Sequence, residues 1–121
     1  QVNPSIDSWV DSFIEAAKFA LENKRAVYHL YNSVSREILE NYLSVVAYGV
    51  MDSFIEMKAV GMKVSEFDKK LLKEFYKGAL VGMVCSWLEG DMKQDPEAAI
   101  NRLGILLEGA VVTSLKISEN K

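Results

Sequence analysis

One cysteine, one histidine and two prolines occur in 121 residues, and each scarcity removes a class of answer. A lone Cys85 makes no intramolecular disulfide, which excludes a stapled secreted scaffold. Its place inside an apolar run gives it the character of a small buried hydrophobe in a chain suited to a reducing cytoplasm. One histidine and one cysteine supply neither a zinc cluster nor a nucleophile beside a base, and no Cys-x-x-Cys or phosphate-cradling glycine loop is present. No catalysis, metal or cofactor is therefore expected. Basic residues are in deficit, 14 Lys and Arg against 17 Asp and Glu for a net charge of -3. That balance argues against nucleic acid as a direct partner, because phosphate binding needs cations gathered on one face. No run reaches the ~20 apolar residues that span a bilayer. The longest, Ala79 to Leu88, is broken by Gly82 and Ser86 and flanked by Lys77 and Glu89, so no membrane anchor is expected. The start, Gln-Val-Asn-Pro, lacks both Met and a basic-then-apolar leader, so the chain is expected to begin at a boundary with a segment upstream of it.

What remains is the composition of one folded domain, 1–121, with 50% hydrophobic and 26% charged residues. Pro4 and Pro96 both sit where they open a helix rather than break one. Apolar residues recur at spacings of three and four, which predicts an all-α fold of five helices. The first runs from about Pro4 to Asn23, striped by Ile6, Trp9, Val10, Phe13, Ala17, Ala20 and Leu21. A short second carries Ala26, Val27, Leu30 and Tyr31. The third extends from the Ser33–Ser35 caps to about Val60, ending at Gly61, with a face through Leu39, Tyr42, Leu43, Val46, Val50, Phe54 and Met57. Ser65 and Asp68 form a capping-box pattern for a fourth helix that ends near Gly90. Asp95-Pro96-Glu97 starts a fifth that runs to about Ser118, leaving Ser118 to Lys121 as a frayed tail.

The last two helices carry more than a bundle needs. The stretch Gly78 to Leu88 is apolar almost all the way round, and Leu103 to Val112 repeats this, so both helices need cover on a second side. Gly78 and Gly82 lie one turn apart, as do Gly104 and Glu108 beside Gly109. A helical glycine costs about 1 kcal/mol against alanine, which close backbone approach would explain. Internal crossings and tolerated defects remain open alternatives.

Phe75-Tyr-Lys-Gly-Ala-Leu-Val-Gly-Met-Val-Cys-Ser-Trp-Leu-Glu-Gly-Asp-Met92, followed by Asp95-Pro-Glu-Ala, resembles the C-terminal region of TetR/AcrR-type transcriptional regulators. An aromatic pair, a glycine-spaced apolar helix, a tryptophan and a short turn into the last helix carry the likeness, nearest in flavour to the dihydroxyacetone-kinase regulators. It is specific over residues 67–112, and over 1–60 it lies in helix number and order. The resemblance implies a cytoplasmic homodimer held by a four-helix bundle from the last two helices of each subunit, with an effector cavity among the earlier helices. It departs in lacking the helix-turn-helix, so operator DNA is expected to be met only through a missing N-terminal domain.

The expected division is therefore 1–60 for the pocket helices and 65–118 for dimerisation. Trp9, Phe13, Tyr28, Tyr31, Tyr42 and Phe54 are candidates for lining a pocket that takes an apolar or aromatic effector, although core packing explains the same stripe. His29, between Tyr28 and Tyr31, is either a structural histidine or part of that border. The seam is expected to run through Tyr76, Leu80, Met83, Val84, Trp87, Ile100, Leu103, Leu107 and Val111, two matching stripes that make a self-complementary surface. Asp52 and Glu56, one turn apart, lack the Glu-x-x-His partners of a helical carboxylate metal site and read as structural. The rival to an effector-sensing regulator is a helical module that recognises another protein and binds no small molecule.

Overall fold

The computed structural model of the chain describes residues 22–33, 36–90, 96–107 and 109–120. Its elements are all helices: α1 Lys24–Tyr31, α2 Arg36–Lys58, α3 Glu66–Glu89, α4 Pro96–Leu106 and α5 Ala110–Glu119. No strand occurs among the described residues. The first expected helix, with Trp9 and Phe13, and the cap Asp95 lie outside them.

Each boundary has a local cause. Beyond α2 the chain turns at Gly61, whose φ of 82 lies in the left-handed region that glycine enters without a side-chain clash. Ser65 then caps α3 by accepting from the Asp68 amide at 3.0 Å, the first half of the capping box. The Asp68 carboxylate does not complete the box but accepts from the Ser118 hydroxyl of α5. α3 stops at Gly90, whose amide bonds the carbonyls of Ser86 and Trp87. Pro96 takes the first position of α4, where its missing N–H breaks no helical bond.

α2 and α3 form the most extensive contact of the fold, running antiparallel, while α1 leans on α2 and α5 on α3. The core follows a strict four-residue ridge on α2, Leu39, Leu43, Ala47, Met51, Ile55 and, just past the helix, Ala59. It faces the ridge Leu72, Tyr76, Leu80, Val84 and Leu88 on α3. Rows spaced by four are the ridges that helices interdigitate, and small Ala47 and Ala59 let the facing side chains in. Val111 and Leu115 of α5 close the main cluster beside Phe54. Met51, Ile55, Leu88 and Leu115 are wholly buried, worth about 1.5–3 kcal/mol each in apolar surface removed from water. A smaller cluster, Tyr31, Leu39 and Leu88 with Val27, Tyr28, Leu43 and Val84 around it, forms where α1 ends.

Three expectations are corrected. The α2 face is turned by about one position, so that Tyr42 at 65% and Met57 at 42% are exposed and Ala47 and Met51 are buried instead. Spacing alone favours the bulkier apolar residues, whereas packing favours the row that fits. The fifth helix is divided, because Gly109 at φ 80 starts α5 from the left-handed region, after the Leu107 amide has bonded the Leu103 carbonyl at 2.8 Å. The C-terminal residues Ser118 and Glu119 are tied rather than frayed: Ser118 bonds Asp68, and the Lys63 amide donates to Glu119 at 3.1 Å. One stretch among the described residues, Ala98–Glu119, is long and apolar enough by length and composition to cross a membrane. Gly109 interrupts it, and Ile100, Val111 and Leu115 within it are buried.

Candidate functional site

Among the described residues apolar surface is left exposed on α2, through Ile38, Tyr42 and Val45, and along the outer side of α3. Phe67, Leu71 and Phe75 are 72%, 53% and 69% exposed, and Gly78, Ala79, Gly82 and Ser86 continue the same open side. At 3.6 residues per turn these seven positions fall within roughly 120° of the helix circumference, a single face. A Cβ built on Gly78 or Gly82 would meet nothing within 4 Å. Neither glycine therefore marks a crossing with another of the described helices. Ile105, Leu106 and Leu107 at the end of α4 and Ile117 on α5 add further exposed apolar groups.

Of the nine seam residues expected from spacing, Leu80, Ile100 and Val111 are buried within the subunit at 2%, 1% and 4% exposure. Tyr76, Val84 and Trp87 are half-buried against the two core clusters. Met83 and Leu103 are half-buried, and Leu107 is exposed. The structure thus draws much of that stripe inward and opens a different ridge of α3, through Phe67, Leu71 and Phe75, that spacing alone passed over. The signal was present in the sequence as a second row of four-residue spacing beside the glycines.

The aromatics expected to line a pocket separate. Tyr31 is buried in the smaller cluster with Tyr28 packed against it, Phe54 is in the main core, and Tyr42 is exposed. Trp9 and Phe13 lie outside the described residues, and His29 is exposed on α1. Burial holds the Cys85 thiol above its ordinary range, with Glu40 and Glu89 adding to the effect, the condition of an inert thiol.

Between the inner faces of α2 and α3 stands a charge cluster that sequence reasoning missed. The Lys73 ammonium, on a residue only 7% exposed, lies 2.7 Å from Asp52 Oδ1 and 2.6 Å from Glu56 Oε2. Lys69 bridges the other Glu56 oxygen at 3.1 Å and Glu66 at 3.0 Å. Burial by itself would lower the Lys73 pKa; the bonds to Asp52 and then Glu56 outweigh it and raise it above the ordinary lysine value. Glu56 is held below the usual carboxylate range, first by Lys73 and then by Lys69. Asp52 and Glu56 are therefore engaged as counterions, and among the described residues no three His, Cys, Asp or Glu side chains gather to hold a metal. Two lysines one turn apart, opposite two carboxylates one turn apart across a short hairpin, were the legible clue.

Residues 7–109, most of the chain, match the family model described as the transcriptional regulator C-terminal region, of the TetR type. The chain belongs to the TetR-family regulator C-terminal regions. No curated protein and no solved structure matches it. In this TetR-type domain the matched span takes in α1 to α4, so both the charge cluster and the open face of α3 lie within the family region. The family is one of transcription regulators rather than of enzymes.

Proposed function

We propose that this domain is the ligand-sensing and homodimerisation part of a one-component bacterial transcriptional regulator, with operator DNA contacted through a helix-turn-helix domain N-terminal to it. The single observation that carries the reading is the outer face of α3, where exposed Phe67, Leu71 and Phe75 run into Gly78 and Gly82 with open space above them. A helix that tolerates glycine at two successive turns, at about 1 kcal/mol each, gains from close approach of another backbone. A second copy of the same face is a self-complementary cover, as a two-fold axis requires. Regulators of this family act as dimers that bind DNA and effectors, which agrees with the assignment. Residues 65–118 then carry the dimer, centred on Phe75, Gly78, Ala79 and Gly82 and flanked by Met83, Trp87, Leu103 and Leu107. Residues 1–60 carry the effector side. Effector binding would favour one arrangement of the dimer and so one spacing of the DNA-binding domains. The finer likeness to the dihydroxyacetone-kinase regulators rests on the Phe75 to Met92 sequence.

Sedimentation equilibrium at micromolar concentration tests this. A dimer is expected, burying on the order of 2,000 Å² in total, and Phe75→Asp should shift it to a folded monomer by stranding a carboxylate in an apolar seam. A wild-type chain that stays monomeric and folded would overturn the proposal. The separation of Tyr31, Phe54 and Tyr42 into two clusters and the surface favours, as a second reading, a module that binds another protein in place of a small effector.

A further inference from the structure

Among the described residues two apolar clusters form, and α1 packs against the smaller one. Of its eight residues Tyr31 alone is buried. A helix that short is marginal by itself in water. Its first turn makes matters worse, since Lys24 and Arg25 sit at the positive end of the macrodipole and the turn itself holds no acidic residue. Tertiary contact must therefore hold it. Val27 and Tyr28 pack against the smaller cluster, and the hydroxyl of Tyr31, a residue only 3% exposed, donates to Glu89 Oε2 at 2.8 Å. Arg36 stacks its guanidinium 4.2 Å from the centre of the Tyr31 ring and reaches the same Glu89 oxygen at 3.9 Å. Tyr31 ends α1, Arg36 begins α2 and Glu89 ends α3, so three helix termini meet in one fastening.

We infer that α1 is a strap that opens as a unit while the α2–α3–α5 core stays folded, and that the Tyr31–Glu89–Arg36 fastening holds it shut. Its opening uncovers Leu39 and Leu88, the floor of the smaller cluster, and leaves Met51, Ile55 and Leu115 covered in the other. Regions that open below the global unfolding cost are those with few buried apolar contacts, which describes α1 and not α2. The inference is independent of what covers the outer face of α3.

Amide hydrogen exchange on the full chain tests it with two variants. Tyr31→Phe keeps the ring and removes only the hydroxyl; exchange over residues 24–31 should rise about 5–10-fold, as loss of one ordinary hydrogen bond implies when its carboxylate partner Glu89 is mostly exposed, with residues 47–58 unchanged. Ile55→Val loosens the main cluster and should leave residues 24–31 at their wild-type rate. Exchange in 24–31 that does not respond to Tyr31→Phe, or that rises equally in both variants, would overturn the strap, because opening would then be either unfastened or global.

Discussion

The two faces of α3 use opposite materials for the same length of helix. The inner face has Lys69 and Lys73 at its N-terminal half, neutralised by Asp52, Glu56 and Glu66, then Leu80, Val84 and Leu88. The outer face has Phe67, Leu71 and Phe75 in that same N-terminal half, then glycine, alanine and serine. Charge is buried where apolar groups are exposed. A lone subunit would be expected to do the reverse, since burying an ammonium carries a desolvation penalty and exposing three large side chains forgoes apolar burial. The difference teaches that an outward-facing aromatic row is better judged against what it is open to than against hydrophobicity alone.

The comparison is broken most sharply at the buried cation. Removing both counterions in an Asp52→Ala, Glu56→Ala variant leaves Lys73 uncompensated and should cost about 3–5 kcal/mol in urea denaturation. Lys73→Met should cost under about 1 kcal/mol, because the half-exposed carboxylates regain water while the thioether fills the apolar space. Equal losses in the two variants would mean that burial of the ammonium is not what the cluster manages.

Gly78→Ala with Gly82→Ala sharpens the outer face. Within the subunit the added methyls meet nothing, so helix propensity should stabilise the monomer by about 1 kcal/mol per site. Across a close seam the same methyls push two backbones apart and should weaken association. Sedimentation of the double variant showing an undiminished dimer would place the seam elsewhere.

The smallest effect is the pH dependence of the inner face. The depressed Glu56 carboxyl contributes stability that is present above its ordinary value of 4.5 and is lost as pH falls through its lower folded value. Lys73, raised in the fold, contributes stability present below its ordinary 10.5 and lost as pH rises through its folded value. Thermal midpoints should thus be flat in this respect between roughly pH 5 and 10 and fall on the acid side. Lys73→Met should fall less steeply between about pH 5 and 3; an identical acid slope would remove Glu56 from the account.

The α2 and α3 limits, the Ser65 cap, the Gly61 and Gly90 stops and the proline start of α4 were all legible, because each depends on residues within a few positions of one another. The division of the last helix was not, although Gly109 is in plain view. A helical glycine and a left-handed one are written the same way, and only the anchoring of Val111 and Leu115 in the core, with Ser118 and Glu119 tied to Asp68 and the Lys63 amide, fixes where α5 must point.

By itself the sequence determined an acidic all-helical domain of the TetR C-terminal kind, with two helices too apolar to be covered on one side. The tertiary structure decided which row of each helix faces inward. Adjacent rows on α2 and α3 differ by one residue in register and little in hydrophobicity, so periodicity cannot choose between them. The choice falls to fit: Ala47 and Ala59 admit a facing ridge where Tyr42 and Met57 would not, and Lys73 is carried inside because Asp52 and Glu56 stand opposite it.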